Sequence, residues 1–401
     1  MDTINKIQPA TLEEAFELRP AQDIKEISLY ESRMNNDTAH HSNQDYFVPG
    51  TVPTEIEPKE LVEIEQKKVY HEVGSSLQRI EVHQEQKQYE EKQYEDKPFI
   101  EANTQAVNLY HLKNDCVIPV FSSDNERIIA HQEFIEIARE CATKAFPFHQ
   151  LKEPEIRCSH IVKGRIPEAI YKNAKDLEEH EKTMFYERLA FIIQIPSIKD
   201  TINGNELNLT IGGVRSLNNE NLYKKKTFEK LKVFAGFRVK ACSNMCVSTD
   251  GFVEEMRVTS YQELQTKILE ALQNYNAEKH LLEMKELSDH YLTEHQFAQL
   301  LGKTRLYQHI SKAQKQRLNI PQLTFNDSQL NTIAKDYYDD ESFCKADNGD
   351  INLWNVYNLF TQANKSSYID TFLDRNLNAF EFSKGIQKTL NGNSTYHWFL
   401  S

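Results

Sequence analysis

Residues 231–241 read LKVFAGFRVKA, and this stretch decides the fold class. An apolar residue stands at every second position from Leu231 to Ala241, which is the pattern of a β-strand with one face in a core. The run is longer than an average strand, and Gly236 near its centre predicts a bulge or a bend. The chain therefore contains at least one long strand of a sheet.

Shorter alternating runs precede this strand. Residues 155–163 form one strand candidate, residues 189–195 form a second, and residues 207–211 alternate again after the turn signal Asn203-Gly204. Short loops between alternating runs are typical of an antiparallel sheet. We expect an antiparallel sheet in the centre of the chain.

Helical periodicity flanks the predicted sheet on both sides. Residues 131–146 place their apolar side chains on one helical stripe. Ser260 and Thr293 each precede a Glu or Gln by three residues, which is capping-box spacing, and Gly302 is placed to end the second of these helices. Further helices are predicted at residues 327–338, 351–363, 367–375 and 378–390. The predicted fold class is α+β: a central antiparallel sheet with flanking helices and a helical C-terminal region.

Acidic residues concentrate in the first quarter of the chain. Residues 1–100 hold 21 of the 60 Asp and Glu residues but only 11 of the 47 Lys and Arg residues, and they contain few core-forming side chains. Such a segment buries too little apolar surface to offset its ordering entropy. We predict a disordered acidic tail over residues 1–98, an α+β domain over 99–257 and a helical region over 258–401.

Charge and cysteine content limit the function classes. Outside the tail the chain is nearly neutral, so binding to phosphate backbones would need a local basic patch. Six scattered cysteines in a chain of 401 residues are typical of a reduced, intracellular protein. The N-terminal residues lack a secretory signal, and no apolar run approaches the length of a membrane span. We expect a cytoplasmic protein without membrane contact.

Two arrangements of Cys and His permit chemistry. Cys158 and His160 share a face of a predicted strand, and Cys242 and Cys246 follow the long strand, so the four residues could supply zinc ligands. Pairing of Cys158 or Cys242 with His160 as a nucleophile is the second arrangement. The simpler interpretation is that the cysteines pack as small apolar residues. Neither arrangement has a local signature, so we predict no metal site and no catalytic residues.

Motifs for common enzyme classes do not occur in the sequence. We find no Walker sequence, dinucleotide fingerprint, HExxH or nucleophile elbow, and 12 glycines leave little material for loops that cradle a cofactor. We therefore expect a protein without a cofactor and lean against an enzyme. An enzyme with an unfamiliar site is a third hypothesis, after the two binding roles described below.

The second face of the long strand combines cations with an aromatic ring. Cations that can meet phosphates, next to a ring that can stack on a base, suit single-stranded nucleic acid on an open sheet face. The alternative is an ordinary solvated strand face with the ring packed under a helix. The predicted nucleic-acid-binding residues are Lys224, Lys225, Lys226, Lys230, Lys232, Phe234, Arg238 and Lys240.

Four strings of sequence carry a family resemblance: residues 159–170 (SHIVKGRIPEAI), 211–223 (with IGGVR and NENLY), 242–251 (CSNMCVSTDG) and 363–370 (ANKSSYID). They resemble an uncharacterised family carried on mobile elements of Bacteroidetes, over about residues 99–400. The chain is also distantly similar to the phage/plasmid-like protein family, through residues 242–244 (CSN) and 354–358 (WNVYN).

The resemblance implies a cytoplasmic accessory protein of a plasmid, phage or integrative element and brings no catalytic residues. Loop polar groups in or near the same strings, namely Arg165, Arg215, Asn244 and Lys365, are expected to line a common cleft. The first functional hypothesis is a non-enzymatic protein that binds single-stranded nucleic acid through the basic sheet face. The alternative is an interaction module that engages a host or element-encoded protein, such as a defence or replication factor.

Overall fold

The sheet predicted from the alternating runs forms the centre of the molecule. The computed structural model describes residues 97–118, 128–217, 228–319, 321–392 and 396–401, which all belong to one compact unit. Six strands pair in chain order, and every neighbouring pair is antiparallel. The strands are β1 (Gln105–Ala106), β2 (Glu155–Arg165), β3 (Lys182–Ile202), β4 (Asn205–Ser216), β5 (Glu229–Val239) and β6 (Met245–Val258).

The sequence missed the sixth strand. Residues of β6 pair with β5 along most of its length, but two register shifts interrupt the pairing, and one lies between Phe234 and Gly236. This confirms the predicted irregularity at Gly236. A Cβ atom at this position would lie 2.2 Å from the main-chain oxygen of Cys246, so only glycine permits the two strands to approach this closely.

Nine α-helices are present in the described ranges, and a small antiparallel pair of strands, β7 (Tyr291–Leu292) and β8 (Ile351–Asn352), lies among the later ones. The helices are α1 (Leu109–Asn114), α2 (His131–Ala145), α3 (Tyr261–Asn274), α4 (Ala277–Ser288), α5 (Glu294–Tyr307), α6 (Lys312–Leu318), α7 (Asp327–Asp339), α8 (Leu353–Asn364) and α9 (Ile369–Leu390). The α+β class, with its central antiparallel sheet and helical C-terminal region, is confirmed.

Sequence signals predict where the helices begin better than where they end. The Ser260 and Thr293 side chains accept hydrogen bonds from main-chain N–H groups three residues later, as the capping spacing predicts. Two predicted ends are wrong. Gly302 lies inside α5, and the helices predicted at residues 367–375 and 378–390 are the single helix α9, because no Gly or Pro interrupts the chain between them.

Both faces of the sheet are covered. Phe134 of α2 packs edge-on against Phe191 of β3, with ring centroids 5.0 Å apart, and apolar residues of α3 and α4 continue this core. The opposite face carries a second cluster in which Ile192, Phe234 and Val247 of the strands meet Phe372 of α9. Helices from residues 258–401 therefore contribute to the cores on both sides of a sheet made by residues 105–258.

The acidic N-terminal segment, predicted as a tail over residues 1–98, lies outside the described residues except for Lys97 and Pro98. Among the described residues, no helix combines the length and the apolar character that crossing a lipid bilayer requires.

Candidate nucleic-acid interface

The predicted open sheet face is buried. Phe234 of β5 is only 2% exposed and lies in the cluster formed with α9, which also includes Phe99, Ile369 and Phe372. The prediction that this ring is available for stacking on a base is wrong. Val214 of β4 and Ile192 of β3 contribute apolar side chains to the same cluster, so this side of the sheet forms a second core.

The cations of β5 are engaged by carboxylates. Arg238 is 5% exposed and donates from one guanidinium nitrogen to Glu155 at 2.7 Å and from the other to the Ser243 hydroxyl at 2.8 Å. Lys232 pairs with Asp374 of α9 and also donates to the Asp370 carbonyl. These two cations form intramolecular contacts between β5 and neighbouring elements, so they are not available to bind a ligand.

Two further predicted cations, Lys230 and Lys240, are nearer the surface and are also paired. Lys230 lies 3.1 Å from Glu255, and Lys240 lies 3.8 Å from Glu206. Lys230 and Lys232 line a cleft of about 320 Å³ whose charges include Glu255 and Asp370, so it is not a cationic groove. Lys224, Lys225 and Lys226 lie outside the described residues.

The four loop residues expected in one cleft do not converge. Arg215 is fully buried, where it pairs with Glu229 at 2.6 Å. Arg165 lies at the end of β2, where its guanidinium donates to main-chain oxygens of the following turn, including that of Ala169. The prediction of a common cleft for Arg165 and Arg215 with the other two residues is wrong.

The other two residues do lie close together, at the turn between β5 and β6. The Asn244 side-chain amide donates to the main-chain and side-chain oxygens of Asn358 on α8, at 3.1 and 3.2 Å, and the Lys365 ammonium donates to the Cys242 carbonyl. Both side chains are buried, and burial lowers the pKa of Lys365. These contacts join the turn to the helical region, so Asn244 and Lys365 have a structural role.

The cysteines show no arrangement for catalysis. Burial raises the pKa of the Cys242 thiol to about 11, and burial also raises the pKa of Cys158, so both thiols are protonated at neutral pH. His160 is exposed and its ring contacts the Ser159 hydroxyl. In the described ranges, no three His, Cys, Asp or Glu side chains are grouped as metal ligands would be.

A different surface collects cations that sequence reasoning overlooked. No Asp or Glu occurs between Glu294 and Asp327, a stretch that includes α5 and α6. The basic side chains of this stretch are exposed or half-buried. One of them, Arg305, contacts Asp327, the first acidic residue after the stretch, at 3.3 Å. We call this set the α5–α6 basic surface: Lys303, Arg305, His309, Lys312, Lys315 and Arg317. The absence of acids over this stretch was readable in the sequence.

Local structure holds this surface in place. α6 begins with a capping box at Ser311 and ends with Asn319 in the left-handed conformation, so its seven residues have both ends satisfied. Lys315 then lies over the Tyr307 ring, 3.7 Å from its centre, and packs α6 back on the end of α5. Lys303, one turn before Tyr307, lies over the Trp398 ring at 4.8 Å.

The paired ends of β2 and β3 form a second feature, the β2–β3 ribbon (residues 160–165 and 182–187), which is exposed on its β2 strand, whereas Tyr186 of β3 is buried in the core. Residues 160–164 are all exposed, and β1 pairs only with Arg157 and Cys158 of β2. The loop that joins the two strands carries Tyr171, which is 96% exposed. Part of the ribbon is one of the strings on which the family resemblance rests.

Comparison with known proteins places the chain in a family but supplies no activity. Residues 85–400 match the family described as "Domain of unknown function, B. Theta Gene description (DUF3871)". Because the match covers most of its length, the chain belongs to this family. No curated protein and no solved structure matches the chain.

Proposed function

We propose that this chain is a cytoplasmic, non-enzymatic accessory protein of a mobile genetic element that binds single-stranded nucleic acid. The resemblance to a family carried on mobile elements supports the biological setting. The observation that carries the proposal is the α5–α6 basic surface. No Asp or Glu occurs between Glu294 and Asp327, and of the Lys and Arg side chains of this surface only Arg305 pairs with a carboxylate among the described residues, in a chain of net charge −13. The β5 sheet face, the site expected from the sequence, is replaced by this surface.

The charge of this surface is suited to the phosphate backbone of single-stranded nucleic acid. Cations that are not committed to carboxylates can replace the counterions of a phosphate backbone, and release of those counterions drives binding. Lys312 and Arg317 are exposed and make no ion pair within the described part of the chain. The β5 cations, in contrast, would have to give up carboxylate partners before contacting a phosphate.

The test is fluorescence polarisation with a labelled single-stranded oligonucleotide. If the surface makes four phosphate contacts, the affinity should fall roughly 50-fold between 50 and 200 mM salt. The triple variant Lys312→Gln, Lys315→Gln, Arg317→Gln should weaken binding at least tenfold at 50 mM salt. The triple variant Lys224→Gln, Lys225→Gln, Lys226→Gln removes the same charge elsewhere and is the matched control.

The two variants separate the possible interfaces. Unchanged binding by the α5–α6 variant with weakened binding by the control would return the interface to the neighbourhood of β5. An equal loss of affinity in both variants would mean that the oligonucleotide is attracted only by the general positive charge and not by a specific surface. Lack of binding by the native protein at 50 mM salt would contradict the function itself.

The second candidate function is the interaction module, and the β2–β3 ribbon is the observation that favours it. Ile161 of β2 and Tyr171 in the loop that follows are exposed apolar or aromatic side chains. Within the described residues, β1 pairs only with Arg157 and Cys158 of β2, and a strand edge without a neighbour can accept a strand from another protein. A stoichiometric protein partner that survives nuclease treatment and is lost in Tyr171→Ala would favour this role.

A further inference from the structure

A cleft between β6, α4 and α9 has the form of a small-molecule site. Its volume is about 420 Å³, which is within the range of ligand pockets in proteins. One wall is the Ser248–Asp250 segment of β6, another is one face of α9, and Tyr396 near the C-terminus closes one side. None of the predicted binding residues lines this cleft.

Ion pairs hold the walls of the cleft together. Lys279 of α4 lies 2.5 Å from Asp250 of β6, and Lys384 of α9 lies 2.6 Å from Glu283 of α4. The second pair is about three-quarters buried, and Lys384 also lies over the Phe380 ring. These contacts connect three elements, so the cleft exists before a ligand enters it.

Three polar groups in the cleft take no part in the ion pairs that connect its walls. Within the described residues, Lys388 makes neither an ion pair nor a hydrogen bond, and Glu381 has no cationic partner and accepts a single hydrogen bond, from the Thr249 hydroxyl at 3.2 Å. The Ser248 hydroxyl has no partner, although Ser248 is only 4% exposed. A buried hydroxyl without a partner is costly in a folded protein, and a ligand can satisfy it.

The spacing of the two free charges indicates the ligand. Glu381 and Lys388 are seven residues apart on α9, so they lie on one face and are separated by about 10.5 Å along the helix axis. A ligand that satisfies both needs a cationic group at one end and an anionic group at the other. A chain of three amino-acid residues spans roughly 10 Å, which matches this distance.

We propose that this cleft binds a short peptide as an extended zwitterion, with its terminal ammonium at Glu381 and its terminal carboxylate at Lys388. The Ser248 hydroxyl supplies a hydrogen bond to the peptide main chain between them. This site is separate from the α5–α6 basic surface, so its failure would leave the proposed nucleic-acid binding unaffected.

Calorimetric titration of the full chain tests the proposal with three ligands: triglycine, N-acetyl-triglycine and triglycine amide. Triglycine should bind saturably, and removal of either terminal charge should weaken binding about tenfold. Ser248→Ala should weaken triglycine binding roughly threefold. Absence of saturable triglycine binding would overturn the proposal, as would equal binding of all three ligands.

Variants of the two charges test the orientation. In Lys388→Met, triglycine and its amide should bind equally, while acetylation of the ammonium should still weaken binding. Glu381→Gln should show the opposite pattern. Lys335→Met, an exposed lysine of α7 outside the cleft, is the matched control and should behave as the native chain does. Retention of the full amide effect in Lys388→Met would refute the assignment.

Discussion

His131 and His280 are neutral imidazoles in the core, each at most 2% exposed. Burial lowers the pKa of both to about 3, and a nearby cation contributes in each case, Arg215 for His131 and Lys384 for His280. The ring of His280 contacts the Tyr275 hydroxyl at 2.9 Å and packs edge-on against Phe380. Both histidines therefore stay neutral in the folded protein at pH values well above 3.

Their low pKa values predict acid sensitivity. In the unfolded chain a histidine has a pKa of about 6.5, so between pH 6.5 and 3 only the unfolded state binds the proton. The free energy of unfolding should therefore fall as the pH drops below about 6.5, by about 2 kcal/mol for each histidine at pH 5. Urea unfolding at pH 7.5, 6 and 5 measures this loss.

His280→Gln provides the control for this prediction, because carboxylates also titrate in acid. Gln keeps a polar group for Tyr275 and has no proton to gain. The variant should be less stable than the native chain at pH 7.5, and the difference should shrink by about 2 kcal/mol at pH 5. A difference that stays constant over this pH range would show that His280 is not the titrating group.

At the scale of secondary-structure elements, two glycines illustrate opposite constraints. Gly236 lies where β5 and β6 come so close that a Cβ atom would contact the Cys246 oxygen. Gly302 lies inside α5, and a Cβ atom there would have no neighbour within 4 Å. The same substitution should therefore have opposite effects on stability.

Gly302→Ala should stabilise the protein by up to about 1 kcal/mol, since alanine has the higher helix propensity and fits without contact. Gly236→Ala should destabilise it by about 2 kcal/mol or more, because the strands must separate at the bulge. Thermal unfolding of the two variants measures both effects. A stable Gly236→Ala protein would mean that the two strands do not approach as closely as the structure shows.

At the scale of the whole molecule, the sheet depends on the helical region. The boundary at residue 257 was predicted from the change of periodicity, yet α9 covers one sheet face and contributes Phe372 to its core. Asp374 of α9 pairs with Lys232, 142 residues earlier in the chain. These contacts are made between the two predicted regions and not within either one.

A fragment of residues 97–257 should therefore fail to fold alone. Without α9 the fragment would expose Phe234 and the apolar cluster around it, and Lys232 would lose its carboxylate partner. Circular dichroism and urea unfolding should show no cooperative transition for the fragment, whereas residues 97–401 should unfold cooperatively. Cooperative unfolding of the fragment would support the two separate regions that the sequence suggested.

The sequence by itself determined the elements that depend on neighbouring residues. The alternation from Leu231 to Val239 predicted β5, Gly236 predicted its irregularity, and the capping pairs at Ser260 and Thr293 predicted two helix starts. β6 was not predicted because two register shifts interrupt its pairing with β5, and each shift breaks the alternation of apolar and polar residues along the strand. These signals are local because the hydrogen bonds and side-chain periods behind them join residues close in the chain.

Only the tertiary structure decided which helices cover each face of the sheet. A period of two shows that Phe234 and Arg238 share a side of β5, but it does not show whether a helix from 130 or more residues later packs on that side. The same holds for the charges: Lys232 is an exposed cation when judged by its neighbours and a paired one once α9 is in place. Pairing across the fold depends on contacts distant in sequence, and no local pattern encodes them.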